Sequence, residues 1–231
     1  MTDRYSTLGS SFGYAISTEQ RNKVLRNTYW LLALSMVPTV LGAWVGVAAG
    51  VGQFFTGGLG MIVFLAGAFG FIYAIEKTKN SATGVPVLLG FTFFMGLMLS
   101  RMIEMTLGFS NGAALIMTAF GGTAGVFMVM ASLSTVIKRD LSGMGKFLFV
   151  GVIMLLVGSL INAFVGSSTG MIVMSMIAIG IFSAYMLYDL KRIIDGGETN
   201  YISATLALYL DIINVFQNLL ALLGIFGGER D

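Results

Sequence analysis

Long apolar stretches, each near the length that a hydrocarbon core demands of a helix, alternate with short polar connections along most of the chain. A helical crossing takes about 20 apolar residues. Seven segments qualify: Tyr29–Val51, Gly58–Ile75, Gly84–Thr106, Ala113–Ile137, Phe147–Val165, Thr169–Asp189 and Ile202–Phe226. Connections this short make neighbouring helices antiparallel. The pattern predicts an all-α polytopic membrane protein, a seven-helix bundle over residues 29–226, with a polar tail over 1–28 and a short tail over 227–231. Met1–Thr28 holds no short apolar core followed by a small-residue cleavage site, so it reads as a tail and not as a signal peptide.

Within the apolar segments, polar and small residues break the pattern in two ways. The seventh is the most polar, with Asp211, Asn214, Gln217 and Asn218. A central helix surrounded by the other six would explain that polarity, and such a helix need not cross completely. Glycines recur at four-residue spacing, in Gly42-xxx-Gly46-xxx-Gly50 and Gly121-xxx-Gly125, where small residues let helix backbones approach closely in lipid. Pro38 is expected to kink the first segment, whereas Pro86 falls in the first turn of the third, where proline is tolerated.

Composition agrees. Of 231 residues, 56% are hydrophobic and 10% charged, against roughly 25% charged in soluble domains. The net charge of +2, without a basic run interleaved with aromatics, argues against nucleic acid. No cysteine and no histidine is present, so any response to pH between about 5 and about 8 must come from carboxylates in unusual surroundings.

Lys and Arg set the orientation. Arg4, Arg21, Lys23 and Arg26 precede the first segment, Lys77 and Lys79 follow the second, Lys138, Arg139 and Lys146 follow the fourth, and Lys191 and Arg192 follow the sixth. The loops around Gly52–Gly57, Leu107–Asn111 and Gly166–Ser168 hold no charge. Only Arg101 and Arg230 depart from this arrangement. The basic side is therefore expected in the cytoplasm, with the N-terminus.

Asp189 and Asp211 are the candidate chemistry. A turn over Asp195-Gly-Gly-Glu-Thr-Asn200 places both at similar depth on antiparallel helices. Asp211, Asn214 and Asn218 share one helix face, which must meet protein or water, since lipid would leave their polar groups unpaired. Two adjacent carboxylates in low dielectric would share one proton, and once deprotonated they would form a hard oxygen site suited to transient Ca²⁺. Alternatively, Asp189 is simply solvated at the headgroups beside Lys191 and Arg192. Arg101 and Glu104 could line an outer vestibule or snorkel as an ion pair. Glu76 with Lys77 and Lys79, and the Lys138-Arg139-Asp140 loop, read as interfacial charge. No cofactor and no enzyme is expected: Asp211 lacks the Gly-x-Gly-Asp setting of intramembrane aspartyl proteases, and serine or zinc peptidases would need the missing histidine.

Tyr185-Met-Leu-Tyr-Asp189, Asp195-Gly-Gly-Glu-Thr-Asn-Tyr201, Leu208-Tyr-Leu-Asp-Ile-Ile-Asn214 and Lys138-Arg-Asp-Leu-Ser142 resemble the Bax inhibitor-1 (transmembrane Bax-inhibitor-motif) family. Asn22-Lys-Val-Leu-Arg-Asn-Thr-Tyr29 is similar to its bacterial YccA branch. The resemblance implies a bundle with the last helix central, in a bacterial inner membrane, and an aspartate pair at Asp189 and Asp211 associated with pH-sensitive Ca²⁺ leak. For the YccA branch it implies restraint of the membrane-anchored AAA protease FtsH, partly through the cytoplasmic N-terminus. The family's second-helix charged partners have no counterpart, because Gly58–Ile75 holds no charge.

Overall fold

A computed structural model of the chain describes residues 18–55 and 57–229. Seven α-helices follow one another: α1 (Thr18–Ala48), α2 (Gly57–Thr78), α3 (Gly84–Leu107), α4 (Gly112–Val136), α5 (Met144–Val165), α6 (Ser168–Ile194) and α7 (Tyr201–Gly227). A short 3-10 turn, Val51–Phe55, links α1 to α2. No strand occurs among the described residues. Six helices, α1 and α3 to α7, are long and apolar enough to cross a membrane. The bundle's outer face carries Trp30, Trp44, Phe69, Phe120, Phe147 and Phe164, all exposed. A rim this apolar fits acyl chains and would not be stable in water.

The first helix begins earlier than its apolar stretch. Thr18 to Thr28, read from sequence as tail, is the first part of α1. Glu19 sits in the opening turn, where a carboxylate complements the helix dipole. Val24 and Leu25 pack on the core and Thr28 is buried, so tertiary contact extends the helix through polar sequence. The remainder of the tail, 1–17, lies outside the described residues, as do Arg230 and Asp231. The helix runs on through Pro38.

Glycine packing holds on α1 and fails on α4. A Cβ on Gly42 would lie 2.2 Å from the carbonyl oxygen of Phe93, and one on Gly96 would lie 2.1 Å from that of Thr39. A Cβ on Gly46 would meet the side chain of Ser100, at 2.4 Å. Contacts advance together along both helices, so α1 and α3 run parallel with their backbones nearly touching. Gly50 lies beyond α1 in a turn with φ +64°, where its lack of a side chain relieves strain. Gly121 and Gly125 face open space, with nothing within 4 Å of where a Cβ would stand. Their spacing on α4 is therefore not a packing seam within this chain.

The last helix occupies the centre. α7 touches α1, α2, α3, α4 and α6, and α5 alone lies out of its reach, packed on α6. Leu208, Tyr209 and Val215 of α7 are essentially inaccessible, in one cluster with Phe91 and Leu88 of α3 and Met186 and Leu190 of α6, and Leu220 is likewise buried with Leu115 and Ala119 of α4. How far α7 runs, left open by the sequence, is seen at its far end. The Asn111 side chain donates to the carbonyl of Gly227 at 2.6 Å and accepts from the N–H of Glu229 at 3.2 Å. Its C-terminus is thus clasped to the α3–α4 loop, opposite the basic end, and the helix traverses the whole bundle. At the basic end Asn200 accepts from the N–H groups of Ile202 and Ser203 as a cap, and donates to the carbonyl of Lys79 and to the Asn80 side chain.

Candidate gating site

The α6–α7 hairpin brings the two aspartates together. Asp189 lies roughly 7 Å from the end of α6 and Asp211 about 15 Å from the start of α7, at 1.5 Å per residue. Equal depth about Asn200 is therefore not how they meet. Helical side chains lean toward the N-terminus of their own helix. On antiparallel helices the two carboxyl groups lean toward each other, which closes the offset. They lie near enough for each to act on the other's charge, and the direct contact open to them is a hydrogen bond. Two carboxyl groups can form such a bond only when one of them holds a proton.

Burial differs between the partners. Asp211 is 4% exposed, and its Oδ2 has no hydrogen-bond partner. Asp189 is half-buried. The basic neighbours of Asp189, named in the solvated alternative, make their ion pairs elsewhere. Lys191 pairs with Asp195 at 2.6 Å and Arg192 with Glu198 at 3.1 Å, so both cations are committed to other acids. Arg192 and Glu198 are the charged groups whose fields reach Asp189, and Tyr185 of α6 lies within the field of both aspartates. Asp140, in the α4–α5 loop, is held below the usual carboxylate range by the N–H and hydroxyl of Ser142. It stays charged through the range about pH 5 to about 8 and adds no titration there.

The other sequence candidates separate from the pair. Asn214 and Asn218 share the Asp211 side of α7 and are half-buried, but their amides donate to the carbonyls of Leu210 and Asn214 on their own helix. Arg101 and Glu104 form an ion pair at 3.5 Å beside Gly52, at the end of the bundle away from the basic loops. The pairing is as read from sequence, and its place is far from Asp189. Glu76 pairs with Lys79 at the basic end. Among the described residues no group of three or more acidic side chains gathers. Two carboxyl groups fall short of the about six to eight oxygens that a resident Ca²⁺ takes.

Two residues of the site were missed by sequence reasoning. Tyr185 lies within the electrostatic reach of both carboxyl groups. Tyr209 of α7 is fully buried against α1 and α3. Both lie inside motifs singled out above, and their tyrosine hydroxyls in otherwise apolar segments were the available signal.

The molecule is thus a multi-pass helical membrane protein with one carboxyl group, that of Asp211, buried on its central helix. The chain belongs to the Bax inhibitor-1 family: the family model described as "Inhibitor of apoptosis-promoting Bax1" matches residues 21–228. Similar proteins include an uncharacterized membrane protein of Vibrio cholerae, 37% identical over 92% of this chain and 93% of its own length. A second, the "Modulator of FtsH protease YccA" of Escherichia coli, is 34% identical over 88% of this chain and 90% of its own length. An uncharacterized protein of Pseudomonas aeruginosa is 37% identical over 91% and 94%.

Proposed function

We propose that this membrane protein is a proton-sensitive cation leak, for Ca²⁺ first, in which Asp189 and Asp211 form the gate. The observation that carries the reading is the facing of two carboxyl groups on α6 and α7, one of them buried with an unpartnered oxygen. With one proton between them, a carboxyl–carboxylate hydrogen bond latches α6 to α7. Without it, two like charges face each other where water screens little, and the helices separate. The freed carboxylates then offer hard oxygen ligands to a passing cation. Uptake therefore rises as pH rises through the pair's titration, by at most about tenfold per pH unit, because a single proton is released.

The test is Ca²⁺ uptake by purified protein in liposomes, from about pH 5 to about 8, for the wild type and Asp211→Asn. The amide that replaces the Asp211 carboxyl cannot titrate, so the variant's uptake is flat and low. Uptake in Asp211→Asn that keeps the wild-type pH response overturns the site.

The name of the E. coli relative favours a second reading, modulation of a membrane-anchored protease of the FtsH kind. The segment expected to engage it is the polar N-terminus. Because α1 starts at Thr18, removing residues 2–17 leaves the helix whole. Under this reading the truncation abolishes modulation of the protease and leaves Ca²⁺ uptake unchanged; modulation that survives the truncation removes the N-terminus from the mechanism.

A further inference from the structure

We infer that Tyr209 is a positioning residue: its hydroxyl, held by α1 and α3, sets the rotation of α7 that turns Asp211 toward Asp189. The inference rests on the gate proposed above. Tyr209 is 0% exposed, with its ring edge-on to Phe91 of α3 at 6.0 Å. Its hydroxyl lies 2.9 Å from Oγ1 of Thr39 on α1 and 3.4 Å from the carbonyl of Thr92 on α3. Proton bookkeeping fixes the direction of these bonds. Thr39 already donates to the carbonyl of Ser35 at 2.8 Å, so the tyrosine proton is the one shared with Thr39 and Thr92. A single hydroxyl therefore ties α7 to both neighbours at once.

The geometry makes this tie a rotational one. Two residues along an α-helix turn through about 200°, so Tyr209 and Asp211 point to nearly opposite sides of α7. The tyrosine is fastened to α1 and α3, which are themselves locked by Gly42, Gly46 and Gly96. The aspartate is presented to α6. The ends of α7 are pinned at Asn200 and Asn111, which sets its height but leaves its mid-helix rotation to side chains. Among the described residues no other side-chain hydroxyl or amide of α7 bonds to α1 and α3 together: Thr205 donates to the carbonyl of Tyr201 on its own helix at 2.7 Å and, of those two neighbours, reaches α1 alone, at the carbonyl of Thr28, 3.4 Å away. The groups whose fields reach the pair are Tyr185, Arg192 and Glu198, while the Tyr209 hydroxyl bonds to Thr39 and Thr92.

Tyr209→Phe keeps the ring and its packing and removes only the hydroxyl, and Thr39→Val removes the acceptor on the other side. The chain contains no cysteine, so paired cysteines report helix rotation without background. A Cβ on Gly122 of α4 would lie 3.3 Å from Cδ1 of Leu219 on α7, which makes Gly122→Cys with Leu219→Cys a rotation gauge. Two measurements are made on each variant: disulfide formation rate in that pair, and Ca²⁺ uptake in liposomes against pH. Both Tyr209→Phe and Thr39→Val should slow crosslinking and raise uptake at the acid end about fivefold, the factor that one neutral hydrogen bond is worth. Crosslinking and acid-end uptake at wild-type values in both variants overturn the inference. If the wild type itself shows no pH-dependent uptake, the gate fails, and the crosslinking rate alone still decides whether Tyr209 sets the rotation of α7.

Discussion

A single methyl group at Gly96 is expected to unfold the bundle's most tightly packed seam. Gly96→Ala places a Cβ 2.1 Å from the carbonyl oxygen of Thr39 and 2.9 Å from the amide nitrogen of Ala43. Those are backbone atoms of α1, which cannot swing aside as a side-chain tip can. The same helix pair is closed from the other side by Gly42, 2.2 Å from the carbonyl of Phe93. Relief requires α1 and α3 to move apart along several turns, and that uncovers Ser35, Thr39 and Thr92, all buried. Overpacking of this kind costs about 3 kcal/mol. In membrane helices the loss is direct, because close van der Waals contact supplies much of the association. The measurement is thermal unfolding in detergent, read beside Gly121→Ala and Gly125→Ala. Those glycines face open space, so their variants stay within about 0.5 kcal/mol of the wild type. Wild-type stability in Gly96→Ala would contradict the seam.

The second large effect separates two ways of removing one charge from the gate. In Asp211→Asn the amide can donate permanently to Asp189, so it imitates the protonated pair and holds α6 to α7 at every pH. In Asp211→Ala no latch forms, and Asp189 alone titrates in a half-buried place. Liposome uptake of Ca²⁺ is therefore flat and low in the first variant and raised at the acid end in the second. A difference of about tenfold at the acid end is expected between them, the factor for one charge-assisted hydrogen bond of about 1.5 kcal/mol. Equal uptake in the two variants would mean that the pair's hydrogen bond does not hold the helices together.

The architecture was largely legible in the sequence because lipid is a demanding solvent. A backbone that must satisfy itself helix by helix leaves apolar runs of nearly fixed length; each of the seven runs is a helix, and six of the helices are long and apolar enough to cross. The polarity of the seventh likewise pointed to a central position, which its contacts with α1, α2, α3, α4 and α6 bear out. What the pattern hid was governed by tertiary contact. The polar stretch from Thr18 to Thr28 is helical because Val24, Leu25 and Thr28 find partners in the core. The glycines at 42 and 46 pack and those at 121 and 125 do not, although their spacing is the same. Periodicity reports which residues share a face, and not what that face meets. The aspartates were visible as charges in apolar segments, but the commitment of Lys191 to Asp195 and of Arg192 to Glu198 was not. Those pairings depend on the path of the turn beyond α6, where Gly196 adopts φ +83°.

Whether Asp189 and Asp211 act as one titrating unit is decided most directly by a double-mutant cycle on the pH dependence of Ca²⁺ uptake, with Asp189→Asn, Asp211→Asn and both together in liposomes. Coupled groups give non-additive losses. Either single substitution should abolish the pH response, and the double variant should remove nothing further. Single variants that each keep part of the response, with the double variant losing the sum of the two parts, would show two independent carboxylates and contradict the shared gate.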